Sequence, residues 1–271
     1  MLQEIAIEPS VAGVVYTHRG NKWAFFPEDR LLVGMTGSVE EPTFVRSVLS
    51  FSLPEFDNDA HLLRAYLRLQ VVRNEPSALA KPVCLRETPH GAAVPWTMEE
   101  ERQQPVLAAH RLSCEINLPL DFDLTPLVEA WWRKAPNNGI LLDFGENLLG
   151  IVGFGNGRQA EPFPVLKIVR AFPAPGRVPL SMTLEPQTRR VSRILPVRPT
   201  AVKNHGPGLA WVTPLYLHGG RLVDPAGLPW TVLAAGEYAV YEPKLPLEGL
   251  AFGVETALEK ATVVLIPLAG E

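Results

Sequence analysis

The chain has 271 residues, 46% hydrophobic and 20% charged, with a net charge of −4 and a pI near 5.9. That is enough apolar material for one large or two ordinary domains. It excludes intrinsic disorder as the default and argues against the strongly basic face of a nucleic-acid binder. Proline is the most unusual count, 27 with 21 glycines. Proline cannot donate to a β ladder and is confined to edges, turns and bulges, so short strands, many turns and protected edges are expected.

The N-terminal run Gln3, Ile5 and Ile7 alternates with Glu4, Ala6 and Glu8 before Pro9. It reads as a short strand or an extended arm over residues 1–9. This stretch has no basic start and no long apolar run, so it is not a secretory signal, and no segment reaches the length of a membrane span. Strands are expected over Val11–Thr17, Lys22–Phe26 and Leu31–Gly34. In 44–53, Val45, Ser47, Leu49, Phe51 and Leu53 share one face. In 62–73, Leu63, Ala65, Leu67, Leu69 and Val71 face one way, with Arg64, Tyr66, Arg68 and Gln70 on a wet side. Pro82–Glu87 and Arg111–Leu118 are further strands, each with one cysteine, Cys84 and Cys114. The pair is either a disulfide or two buried thiols. Between them His90–Gln104, with Trp96 and three consecutive glutamates, reads as a long surface loop.

One segment departs from the β pattern. Leu124, Leu127, Val128 and Trp131 follow helical spacing, Thr125 is a suitable N-cap and Pro126 suits the first turn. A helix over about 125–133 is expected, stopping before the turn Pro136-Asn137-Asn138-Gly139. Strands resume at Ile140–Phe144, Gly150–Phe154 and Pro164–Arg170. Residues 172–179, with three prolines and a glycine, form the best linker candidate. Seven or so short strands about ten residues apart then suggest a small Ig-like sandwich over 180–271.

The N-terminal part, about residues 10–171, resembles the DNRLRE family of β-sandwich (jelly-roll) domains. The carrying residues are Arg46-Ser47-Val48-Leu49-Ser50-Phe51, Leu63-Arg64-Ala65-Tyr66-Leu67-Arg68-Leu69, the segment from Phe122 through Asp123, Thr125 and Val128 to Trp131, and the turn Asn137-Asn138-Gly139-Ile140. Residues 180–271 look like small C-terminal modules found beside such domains in spore-forming Gram-positive bacteria, on Val202-Lys203-Asn204-His205-Gly206, Leu222-Val223-Asp224 and Val232-Leu233-Ala234-Ala235-Gly236-Glu237. The resemblance implies an all-β fold, a jelly roll followed by an Ig-like module, and a surface role. A cell- or spore-surface location reached without a classical signal peptide fits it.

Chemistry-bearing motifs are few. The glycines at 150, 153, 155 and 157 precede prolines and a strand rather than a helix, so they read as a turn and not a phosphate cradle. No G-x-S-x-G elbow or paired histidine spacing occurs among His18, His61, His90, His110, His205 and His218. No metal or cofactor site is expected, although Asp57, Asp59, Asp121 and Asp123 offer hard oxygens that a structural calcium could use. Arg189, Arg190, Arg193 and Arg198, without interleaved aromatics, read as a solvated strand face or linker. The first expectation is therefore a non-enzymatic assembly subunit whose partner is another copy of itself, joined into a filament through Gln3, Ile5 and Ile7 by strand addition. The alternative is a polysaccharide-binding module with Trp23, Trp96 and Trp230 stacking on sugar rings, and a polysaccharide-active enzyme is a third. Neither nucleic acid nor membrane insertion is expected.

Overall fold

The structure is a computed structural model. It describes residues 1–18, 22–27, 31–38, 40–55, 57, 59–75, 82–91, 94–112, 116–117, 119–144, 149–155, 164–186, 189–192, 199–218, 221–223, 231–241, 247–254 and 259–269. Across these residues the fold is all-β, with antiparallel sheets and two short helices.

The chain opens with strands β1 (Leu2–Ile7), β2 (Val11–His18), β3 (Lys22–Pro27), β4 (Leu31–Gly37), β5 (Pro42–Ser50), β6 (His61–Asn74) and β7 (Pro82–Glu87). Helix α1 (Met98–Gln103), β8 (Val106–Arg111), β9 (Pro119–Asp123) and helix α2 (Thr125–Trp132) follow. Then come β10 (Ile140–Phe144), β11 (Gly150–Phe154) and β12 (Val165–Ala171). The remaining strands are β13 (Leu180–Leu184), β14 (Arg189–Ser192), β15 (Thr200–Asn204), β16 (Ala210–His218), β17 (Arg221–Val223), β18 (Thr231–Leu233), β19 (Tyr238–Tyr241), β20 (Leu247–Val254) and β21 (Ala261–Pro267).

Two compact units divide the chain, one of Ile5–Glu55 with Ala65–Ile168, the other of Met1–Glu4, Phe56–Arg64 and Val169–Glu271. The large sheet has the order β1-β12-β6-β11-β4-β5-β10-β7-β8, with β2, β3 and β9 joined off this path. In the first unit β5 is the hub. It pairs β2 along its whole length, β4 through residues 42–45 and β10 through residues 47–49. Where β4 leaves the ladder, Ser47 Oγ takes its place, accepting from Leu32 N–H and donating to Leu32 O, both at 2.8 Å. A buried hydroxyl thereby satisfies the main chain at the handover, as buried polar backbone requires. Val14, Val45 and Ile151 form one apolar cluster beside it.

Helix α2 forms where the apolar spacing places it. Leu124, Leu127, Val128 and Trp131 are all buried, each contributing roughly 1.5–3 kcal/mol by leaving water. Its N-cap is Leu124, without a side-chain cap bond. Thr125 is drawn away instead. Its Oγ1 accepts from Ala65 N–H at 2.9 Å and lies 2.6 Å from Asp123 Oδ1.

Three expectations are corrected. His90–Gln104 is not all loop, because α1 closes on a full capping box: Thr97 Oγ1 accepts from Glu100 N–H, and the Glu100 carboxylate accepts from Thr97 N–H at 2.7 Å. Arg111–Leu118 is not one strand. β8 ends at Arg111, Asn117 adopts a left-handed φ of 65°, and β9 starts at Pro119. The wet face expected for β6 is only partly wet, since Tyr66 and Gln70 are buried while Arg64 is exposed. Arg68 covers Tyr66, its guanidinium 5.4 Å from the ring centre, and binds Asp121 through two hydrogen bonds of 2.7 and 2.8 Å.

In the second unit a four-stranded sheet, β13-β21-β15-β19, and a five-stranded sheet, β14-β20-β16-β17 with β18 on β16, bury Leu184, Val202, Val212, Leu250, Val263 and Leu265. Trp211 lies across β20 at its partner Gly253, where any Cβ would meet the indole at 2.2–2.3 Å. β15 is buried on both faces, because Leu63, Val169 and Ala171 pack with Ala201, Ile266 and Leu268 in a further cluster. On β15 Lys203, only 2% exposed, donates to Leu62 O at 2.8 Å. The proline-rich stretch after β12 is anchored at its start. Ala174 N–H donates to Pro267 O at 2.7 Å, and Pro173 bridges to Leu268.

Candidate functional site: an open edge and a buried charge cluster

The N-terminal residues form β1, the end strand of the large sheet, and pair with β12 of the same chain. Met1 N–H donates to Phe172 O at 3.0 Å, and Phe172 N–H donates to Met1 O at 2.8 Å. Such a mutual pair is the hydrogen-bonded type of an antiparallel ladder, which recurs at every second residue. Gln3, Ile5 and Ile7 therefore turn their main-chain groups towards β12, while Leu2, Glu4 and Ala6 turn theirs outward. Arg170 fixes this register by donating to Gln3 Oε1 at 2.8 Å with its guanidinium 4.9 Å above the Phe172 ring. Along β1 only Ile5 and Ile7 are half-buried and the other four residues are exposed. Hydrogen bonds to the main chain thus hold β1 more than apolar burial does. Among the described residues no strand pairs with its outer side. The arm is docked, and the edge it presents is its own.

A buried set of charged groups lies elsewhere, on the face of the first unit covered by residues 94–104. Trp96, 7% exposed, packs with Val15, Val48 and Leu141. Beside it Arg46 Nε donates to Glu101 Oε1 at 2.8 Å, and both are buried. Arg86 Nε donates to Asp143 Oδ2 at 3.0 Å and also reaches Gln104 O. The strands make this meeting geometric, because β10 lies between β5 and β7 and pairs Asp143 with Cys84. Asp143 is 3% exposed, and its Oδ1 accepts no hydrogen bond from the described residues. Burial pushes its pKa above the usual carboxylate range, with Glu101 adding to the rise and Arg46 and Arg86 opposing it. Two cations and two anions balance in this cluster. Perturbed carboxylates often mark chemistry, but structural ion-pair networks perturb them too. Here the partners strap α1 onto the sheet. The exposed end of the strap carries Glu100, whose pKa is held down at about 2 chiefly by the Thr97 backbone and hydroxyl, then by His90.

The remaining candidates are scattered. Trp96 is a core residue, so it offers no ring face to a sugar; the Trp23 side chain and Trp230 lie outside the described residues. Asp121 is taken by Arg68, and Asp123 Oδ1 accepts from Thr125 N–H at 2.9 Å. Asp57 stands 3.9 Å from Arg170, and Asp59 raises the pKa of His61 against a larger lowering by burial. Among the described residues no three His, Cys, Asp or Glu side chains are placed to share a metal ion. His90 bonds Glu100 at 2.9 Å, and His110 meets the Phe122 ring edge to face. Cys84 is buried with its sulfur 3.8 Å from Pro82 O, and Cys114 lies outside the described residues. Arg189 and Arg190 fall on β14, while Arg193 and Arg198 lie outside the described residues. Sequence reasoning missed the buried quartet of Arg46, Arg86, Glu101 and Asp143. The available signal was a charged residue inside an apolar strand run, at Arg46, Arg86 and Asp143.

No family model matches the chain, and no curated protein matches it. Among the described residues no helix is long and apolar enough to cross a membrane.

Proposed function

We propose that this chain is a non-enzymatic structural subunit of a cell- or spore-surface assembly, joined to other copies of itself by main-chain pairing at β1. The observation that carries the reading is an end strand of six residues with outward-facing main-chain groups and no described strand beside it. Unpaired edges are templates for another chain, and strand addition gives affinity through main-chain hydrogen bonds alone. The likeness to DNRLRE domains supports the surface role. The buried charge cluster supports it from the other side, because Arg46 on Glu101 and Arg86 on Gln104 O fasten α1 to the sheet and Asp143 is paired with Arg86.

The strand is docked rather than protruding, so the joint uses its outer side. Negative-stain electron microscopy of the full chain and of a chain lacking residues 1–9 tests the reading. Filaments or multi-subunit particles of the full chain that are lost on truncation support it. Single particles in both samples overturn it.

A further inference from the structure

β13 is an end strand of the four-stranded sheet and pairs with β21 from Leu180↔Leu265 to Leu184↔Ala261. The other side of β21 fixes which main-chain groups meet across that pair. Towards β15, His205 N–H donates to Thr262 O at 2.6 Å and Leu268 N–H donates to Pro199 O at 2.8 Å. Every second residue of a strand serves the same neighbour. Thr262, Val264, Ile266 and Leu268 therefore serve β15, and Ala261, Val263 and Leu265 serve β13. Leu180, Met182 and Leu184 turn their main-chain groups to β21, while Ser181 and Thr183 turn theirs outward. Among the described residues no strand pairs with that outer side. The side chains alternate to match. Leu184 is buried in the core of this unit and Met182 packs against it, but Leu180 on the same face is 47% exposed. Ser181 and Thr183 are exposed on the other face. The strand, Leu-Ser-Met-Thr-Leu, carries no charge, so it lacks the lysine or glutamate with which edges commonly turn other strands away.

We propose that β13 pairs antiparallel with β13 of a second copy of this chain, about a two-fold axis at Met182. An isologous joint needs a surface that complements itself, and Leu-Ser-Met-Thr-Leu reads nearly alike in both directions. In this register Ser181 stands opposite Thr183 of the second copy, and Thr183 opposite its Ser181. The outward main-chain groups of all four residues are thereby paired, and hydroxyls face hydroxyls across the strands. Leu180 stands opposite Leu184 of the second copy, which covers its exposed side and carries the apolar layer from one copy into the next. No like charges meet. Sliding the strands towards their starts would bring in Pro179, which has no N–H to give. Sliding them towards their ends would bring in Glu185, which lies past the strand and is held by Lys260 at 3.0 Å. The joint does not involve β1, so it adds a second contact to the proposed assembly and stands without the first.

The test is a pair of full-length cysteine variants, oxidised and run on non-reducing gels beside wild type, which serves as the blank for Cys84 and Cys114. Met182→Cys puts a thiol on the two-fold axis, where facing Cα atoms of a non-hydrogen-bonded pair are about 4.5 Å apart and within disulfide reach. Ser181→Cys puts its thiol diagonally across from its own equivalent, about 7–8 Å away at Cα and past that reach. A covalent dimer on the order of tenfold more abundant for Met182→Cys than for Ser181→Cys is expected. A third variant, Ser181→Lys with Thr183→Lys, sets lysine opposite lysine on a face that does not touch the core. Its dimerisation in equilibrium sedimentation should move to on the order of tenfold higher concentration or disappear. Equal cross-linking of the two cysteine variants overturns the pairing, and so does a double-lysine chain that dimerises like wild type. Either result leaves the β1 joint standing if filaments are still lost on removing residues 1–9. Covalent Met182→Cys dimers without such filaments overturn the β1 joint and support this one.

Discussion

β5 and β1 are strands of one sheet built by opposite means. β5 is buried on both faces, changes partner midway, and holds a charged side chain, Arg46, against Glu101. β1 half-buries only Ile5 and Ile7 and is kept by main-chain bonds to β12 and by the Arg170–Gln3 contact. The first arrangement is costly to disturb, since a buried ion that loses its partner retains its desolvation penalty. The second is cheap to disturb, since exposed edge residues contribute little. The hub fixes the fold, and the edge keeps outward main-chain groups that the proposed assembly uses.

The largest loss of stability is expected at the strap. Glu101→Ala strands the buried Arg46 guanidinium and is expected to cost about 3–5 kcal/mol, read as a drop in Tm. Replacing both partners, Arg46→Met with Glu101→Leu, should recover most of that loss, because an apolar pair of similar volume is often as stable. Trp96→Ala opens a cavity against Val48 and Leu141 and should cost about 3 kcal/mol or more in chemical denaturation. Thr97→Ala removes half of the capping box and should cost about 1 kcal/mol.

The pH response sharpens the contrast. Asp143 has a raised folded pKa, so between its unfolded value of 3.8 and that higher value the folded state binds more protons. Its contribution therefore falls as pH rises through this window. Glu100 acts in the opposite sense: its contribution is present above 4.5 and is lost as pH falls towards about 2. Asp143→Asn should remove the first slope from a stability-versus-pH curve and leave the second. The smallest effect belongs to β1, where Ala6→Pro should change stability by no more than about 0.5 kcal/mol in chemical denaturation, because only an outward-facing N–H is lost.

Much of the fold was legible because strand alternation survives in single runs. The alternation at Leu63, Ala65, Leu67, Leu69 and Val71 gave β6, and the four-residue spacing at Leu124, Val128 and their neighbours gave α2 within one residue. α1 was hidden because Met-Glu-Glu-Glu-Arg-Gln has no apolar stripe; its signal was the spacing of Thr97 and Glu100. The break at Asn117 depends on a left-handed backbone that asparagine tolerates and composition does not announce. At the candidate site, Gln3, Ile5 and Ile7 were legible as a strand, but not that β12 of the same chain receives them. That pairing joins residues some 170 positions apart, and no local pattern encodes it. The charges inside the apolar runs of β5, β7 and β10 were legible one by one, but not that they meet Glu101, since the quartet comes from three strands and a helix.

In the proposed assembly the outer side of β1 joins one copy to the next. Sedimentation velocity across a range of concentrations, on the full chain and on Ala6→Pro, tests it most directly. Proline there spares the bonds to β12 and removes one offered to a neighbour. The account predicts concentration-dependent assembly of the full chain and an Ala6→Pro that goes no further than the β13 pair, with an unchanged melting temperature. An Ala6→Pro chain that assembles as readily as the unaltered one would contradict it.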